Sequence, residues 1–128
     1  MKIGFIGLGN MATAIIGGLL REDTTLNSED GNATVITANI IGSAKTEATR
    51  QKRAEQFGIA VTASNREVAE AADVLVLAVK PQFFPEVIAE IRDAVSENTL
   101  VISIAAGLTL ERIAGLFDRN VTAMRLIR

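Results

Sequence analysis

Short apolar runs alternate with amphipathic stretches along the chain. Ile3–Ile6 is apolar and stopped by Gly7, as expected of a strand buried on both faces. Met11, Ile15, Gly18 and Leu19 then fall at i, i+4, i+7 and i+8, which predicts a helix. Gly17-Gly18 costs that helix about 1 kcal/mol per glycine relative to alanine, and close approach to the sheet would offset the loss. Asp23–Asn32 is polar and turn-rich and reads as a surface loop. Thr34–Asn39 is rich in β-branched residues and predicts the second strand.

A polar helix is expected over Thr46–Phe57, closed by Gly58, with Lys45, Glu47, Arg50, Lys52, Arg53 and Glu55 on a solvated face. Ile59–Thr62 predicts a brief third strand. Ser64 or Asn65 can cap a short helix through Ala71, with Glu67 at capping-box distance from Ser64. Val74–Val79 is the most hydrophobic stretch and the candidate for the sheet centre. Pro81 suits the first turn of the next helix, which places Phe84, Ile88, Ile91 and Val95 on one face. Thr99–Ile104 reads as a buried strand, Thr109 with Glu111–Phe117 as a last helix, and Val121–Ile127 as a final strand. Strands alternating with helices predict an α/β fold, a doubly wound parallel sheet in a single domain over residues 1–128. Ligands in such sheets sit beyond the carboxyl ends of the strands, where the strand order reverses.

Composition removes most side-chain chemistry. The 128 residues contain no His and no Cys, which excludes a Ser-His-Asp triad, a thiolate nucleophile, a zinc finger and a disulfide. No metal site and no catalytic side chain is assigned. A net charge of −2 with 4% aromatic residues argues against nucleic-acid binding. No apolar run is long enough for a membrane span and no secretory signal opens the chain, so a cytoplasmic location is the expectation. Any chemistry must be carried largely by a bound group.

Gly7-Leu8-Gly9-Asn10-Met11-Ala12 supplies a place for one. It has the form G-x-G-x-x-A, directly after the first strand and opening the first helix, which is the dinucleotide fingerprint of a Rossmann-type fold. Gly7 permits the tight turn, Gly9 leaves room for a pyrophosphate, and Ala12 keeps helix and sheet close. The N–H groups around Asn10, Met11 and Ala12 then face the phosphates. The second strand ends without the acid that binds a ribose 2′-hydroxyl. Asn39, Ser43 and Lys45 offer neutral or positive donors instead, which favours NADP, with NAD as the alternative.

The stretch Gly4–Ala12 with Ile16-Gly17-Gly18-Leu19 resembles the N-terminus of pyrroline-5-carboxylate reductases. Ala78-Val79-Lys80-Pro81-Gln82 and Ser103–Thr109 resemble the same family, in the same order, as do Asn65-Arg66-Glu67 and Ala72-Asp73-Val74. The resemblance implies reduction of 1-pyrroline-5-carboxylate to proline, by hydride transfer from the nicotinamide to an already electrophilic protonated imine. It implies Asn65 beside the adenosine ribose. Ala78, Val79, Lys80 and Pro81, with Ala105, Ala106 and Gly107, would lie near the nicotinamide half. It also implies that this chain is the cofactor domain alone, without the family's C-terminal helical domain for substrate and dimerisation. Cofactor binding with little or no turnover is then expected, and a homo-oligomer only for the full-length enzyme. The segment Ile40–Gln56 is longer than the family's usual connection. Two other readings are a related two-domain dehydrogenase, of 3-hydroxy-acid or deazaflavin-NADP type, and a non-catalytic nucleotide-sensing module.

Overall fold

The computed structural model describes residues 2–20, 25–28, 31–34, 39–96, 98–103 and 122–125. The strands are β1 (Ile3–Ile6), β2 (Thr25–Ser28), β3 (Gly31–Thr34), β4 (Ile40–Ser43), β5 (Ala60–Thr62), β6 (Val74–Leu77), β7 (Leu100–Ser103) and β8 (Thr122–Arg125). The helices are α1 (Asn10–Leu19), α2 (Glu47–Phe57), α3 (Asn65–Ala71) and α4 (Phe84–Ile91), the last entered through a 3-10 turn over Pro81–Phe83. Six strands form one sheet in the order β5-β4-β1-β6-β7-β8, and every neighbouring pair is parallel. The chain leaves β1 toward β4 and β5, then returns to the other side of β1 with β6. The order therefore reverses beside β1, as a doubly wound Rossmann sheet requires.

Alternation along each strand distributes the core over two faces. Ile3 and Phe5 of β1 join Ile40, Val76, Ala12, Ile16 and the partly buried Phe57, so α1 and α2 cover that face. Ile6 joins Leu75, Leu77, Val68, Phe84 and Ile88 on the opposite face, beneath α3 and α4. Gly4 also points toward α3. A β-carbon there would stand 2.7 Å from Val68 Cγ1 and 2.9 Å from Ala72 Cβ, so glycine lets helix and strand meet. Phe84, Ile88 and Ile91 are buried as their spacing predicts, and Val95 is buried beyond the end of α4.

Local chemistry sets the helix ends. Thr46 caps α2 by accepting from Thr49 N–H, and Gly58 closes it in the left-handed region at φ 69°. Ser64 caps α3 by accepting from Glu67 N–H at 3.2 Å. The Glu67 carboxylate accepts from Thr62 Oγ1, and that hydroxyl oxygen accepts from Ser64 N–H, so the reciprocal half of the box runs through Thr62. Ser64→Ala is expected to cost about 1 kcal/mol of stability, read as a lower denaturation midpoint in urea.

Three expectations are corrected. Within Asp23–Asn32, β2 pairs antiparallel with β3, Ser28 opposite Gly31, where a surface loop is expected. Polar composition argues against burial in a core, and an antiparallel strand pair is as compatible with it as a loop is. The second strand of the main sheet is Ile40–Ser43, not Thr34–Asn39; Thr34 closes β3 and Asn39 precedes β4. Both stretches suit a strand by propensity, but Ile40 and Ile41 bury on opposite faces and Gly42 receives a neighbouring loop. The glycine pair of α1 does not approach the sheet. A β-carbon on Gly17 would meet only Phe57, at 3.9 Å, and one on Gly18 would meet nothing within 4 Å.

The final strand appears as β8, parallel to β7. The helix expected around Glu111–Phe117 lies outside the described residues. Among the described residues, no helix is long and apolar enough to cross a membrane.

Candidate functional site

The parallel strands end on one rim, and hydrogen bonds continue past them. Gly7 N–H donates to Ser43 O at 3.0 Å and Ala78 N–H to Ile6 O at 2.9 Å, wedging the first glycine turn between the exits of β4 and β6. Gly7 has φ +98°, a conformation L side chains rarely adopt, and its missing β-carbon would lie 3.0 Å from Ala78 O. Leu8 is buried in a niche opened by Gly42, where a β-carbon would stand 2.6 Å from Leu8 Cδ2.

Gly9 is different in kind. Its φ of −81° is open to any residue, and a β-carbon there would touch nothing within 4 Å. Neither backbone conformation nor internal packing accounts for glycine at this position. It is the N-cap of α1 and contributes no side-chain cap, and no acid occupies the first turn. The first helical bond runs from Thr13 N–H to Gly9 O at 2.9 Å, so the N–H groups of Asn10, Met11 and Ala12 have no carbonyl one turn back. By contrast, α2 and α3 are capped by hydroxyls and carry Glu47 and Glu67 in their first turns.

This uncapped end opens on a cavity of about 480 Å³. Gly7, Gly9, Asn10 and Met11 line it from the glycine turn, Ser43 and Lys45 from the exit of β4, and Asn65 from α3. Ala78, Val79 and Lys80 line it beyond β6. Ten residues expected at the site thus meet in one space. Ala12 is fully buried beneath it, and Pro81, which starts the 3-10 turn, is not in the lining. Asn39 is not brought to the cavity. It precedes Ile40, which pairs with Ile3 at the other end of the sheet. Ala105, Ala106 and Gly107 lie outside the described residues.

The only charged side chains among the described lining residues are Lys45 and Lys80, so the space favours an anion. Lys45 Nζ stands 4.7 Å from the centre of the Phe83 ring, a cation–π distance. The Ser43 hydroxyl donates to Asn65 Oδ1 at 2.6 Å, and Asn65 Nδ2 donates to Glu90 Oε2 at 3.3 Å. Ser64 carries the cap of α3, which leaves the Asn65 amide to this network.

Ala44, Phe83 and Val87 line the cavity without having been expected there. Phe83 had a signal in the Phe83-Phe84 doublet. Phe84 enters the core, while Phe83 at the end of the 3-10 turn packs only partly against it and keeps ring surface for the cavity and Lys45. Val87 has none, because its helical spacing reads as core, and it is both buried and in the lining.

A family model described as NADP oxidoreductase coenzyme F420-dependent matches residues 2–107. Pyrroline-5-carboxylate reductase of Escherichia coli (strain K12) is 42% identical over 113 residues, which cover 88% of this chain and 38% of that protein. The structure of a pyrroline-5-carboxylate reductase from Coxiella burnetii superposes with a TM-score of 0.83 at 33% identity, over 97% of this chain and 42% of that one. A pyrroline carboxylate reductase of Plasmodium falciparum with NADP bound shares the fold, with a TM-score of 0.73 at 24% identity over 98% of this chain and 41% of that one. The chain thus spans about two fifths of the length of these relatives.

Proposed function

The chain belongs to the family described as NADP oxidoreductase coenzyme F420-dependent, and on that footing we propose that its cavity binds NADP(H) for a pyrroline-5-carboxylate reductase reaction. Gly9 carries the cofactor half of this reading. It is a glycine that the backbone does not require, at an uncapped helix start, facing a cavity whose described charges are both positive. The N–H groups of Asn10, Met11 and Ala12 would hold a bridging diphosphate there. Similarity to the named reductases supports the substrate half.

Bound NADPH supplies a hydride, which 1-pyrroline-5-carboxylate takes at its protonated imine carbon to give proline and NADP⁺. This chain contributes binding and orientation. Lys45 would hold the 2′-phosphate of the adenosine ribose, with Asn65 beside the ribose and Ser43 fixing the Asn65 amide through its hydroxyl. Val79 and Lys80 would lie beside the nicotinamide half. Residues 1–128 act as a single cofactor-binding domain, in the cytoplasm, with little or no turnover by themselves.

Calorimetric titration with NADPH and NADH tests the reading. Both are expected to bind, NADPH more tightly. Lys45→Ala is expected to weaken NADPH about tenfold, roughly the 1.4 kcal/mol of one charge-assisted contact, and to leave NADH nearly unchanged. Equal affinities in the unaltered chain defeat the 2′-phosphate assignment, and no binding of either cofactor defeats the whole proposal. The family description also names coenzyme F420, which favours a deazaflavin reductase as the second reading. Binding of a deazaflavin to this chain alongside NADPH, with no binding of 1-pyrroline-5-carboxylate, would decide for it.

A further inference from the structure

Arg50 and Arg53 lie one turn apart on α2, and neither lines the cavity. From their sequence context they read as part of a solvated face, yet each reaches back to a loop that frames the site. Arg50 Nη1 donates to Ala44 O at 2.8 Å, and Arg53 Nε donates to Leu8 O at 3.0 Å, both in part-buried settings. Arg53 is held in turn by donating from Nη1 to Gln56 Oε1 at 2.8 Å. Among the described residues, neither arginine forms an ion pair.

The two carbonyls belong to peptide units that end at cavity-lining residues. Leu8 C=O shares its planar trans unit with Gly9 N–H, and Ala44 C=O shares one with Lys45 N–H. In such a unit the carbonyl and the N–H point in opposite directions. A carbonyl drawn toward α2 therefore turns the following N–H away from α2. Among the described residues, neither Gly9 N–H nor Lys45 N–H donates to a partner. Both belong to residues that line the cavity.

We propose that Arg53 and Arg50 are positioning residues that fix these two peptide units, so that Gly9 N–H and Lys45 N–H point at anionic groups of the bound dinucleotide. Arg53 serves the diphosphate, which NADPH and NADH share. Arg50 serves the loop beside the 2′-phosphate, which only NADPH carries. Guanidinium suits the task because its rigid fork holds a carbonyl in one direction, which a flexible ammonium does less well. The proposal rests on the dinucleotide reading above, but the peptide orientation is testable without any ligand.

The experiment compares Arg53→Met, Arg53→Lys and Arg50→Met with the unaltered chain. It reads affinities for NADPH and NADH, thermal midpoints, and the amide signal of Gly9 in the ligand-free ¹⁵N spectrum. Arg53→Met is expected to weaken both cofactors about tenfold, by the same factor, and to move the Gly9 amide signal. Arg50→Met is expected to weaken NADPH about fivefold more than NADH. Arg53→Lys is expected to recover only part of the loss. Full recovery by lysine reduces Arg53 to a background charge and overturns the orienting role. Unchanged affinities together with an unmoved Gly9 signal overturn it as well. If Arg53→Met does not fold, Arg53→Lys and the Gly9 amide still decide. If the unaltered chain binds neither cofactor, the dinucleotide reading fails, while the Gly9 signal continues to report on the clamp.

Discussion

Gly9→Ser is expected to weaken NADPH binding about 100-fold while leaving the fold as stable as before or slightly more so. The two effects have separate causes. At φ −81° the backbone accepts serine without strain, and the added β-carbon meets no atom within 4 Å. Serine is a better N-cap than glycine by a few tenths of a kcal/mol, which corresponds to a rise of about 1–2 °C in the thermal midpoint. The hydroxyl that gives this gain bonds an N–H of the first turn, where the phosphate would otherwise bond. Its bulk also stands in the ligand's space. A 100-fold loss corresponds to about 2.7 kcal/mol, within reach of a displaced diphosphate that loses charge-assisted bonds. Paired calorimetric and thermal-melt measurements check this. A large fall in midpoint would show that Gly9 serves the fold, and unchanged NADPH affinity would show that the phosphates lie elsewhere.

Gly7→Ala, only two residues away, is expected to damage the fold itself. The positive φ of Gly7 costs a non-glycine residue on the order of 1–3 kcal/mol. The new methyl would also press on Ala78 O at 3.0 Å, on backbone tied back to Ile6 by a hydrogen bond. Relief of that contact pulls apart the exits of β1 and β6, which carry the cavity. A loss of roughly 2–3 kcal/mol is expected, a large share of the stability of an ordinary domain, and urea denaturation should show it as a lower midpoint with an unchanged slope. A midpoint within experimental error of the unaltered chain would overturn the strained-turn account. The same G-x-G motif thus holds one glycine that the chain needs and one that neither its backbone nor its packing requires.

The motif already gives Gly7 to the turn and Gly9 to open space for a ligand; the neighbours of each missing β-carbon supply the contacts behind that division. Other features were legible because their causes are local. The Ser64 cap depends on residues three positions apart, Gly58 on a single left-handed residue, and the buried stripe of α4 on helical repeat. Three-dimensional packing decided what local pattern left equivalent. Thr34–Asn39 and Ile40–Ser43 both suit a strand, and the second enters the main sheet because it fills both faces and gives Leu8 its niche. Moving the strand carried Asn39 to the far end of the sheet and brought Ser43 and Lys45 to the rim. Arg53 of α2 was illegible for the same reason, since a polar helix reads as solvated until a loop 45 residues earlier in the chain is folded against it.

By itself, the sequence determined the alternation of strands and helices, the glycine turn after the first strand and the lack of histidine or cysteine chemistry, because each follows from residue type and short spacing. Only the tertiary structure decided that Ile40–Ser43, in place of the expected Thr34–Asn39, lies beside β1, and which side chains meet across the rim. Those depend on contacts between segments distant in the chain, where burial on both faces of one sheet, rather than local propensity, selects the arrangement.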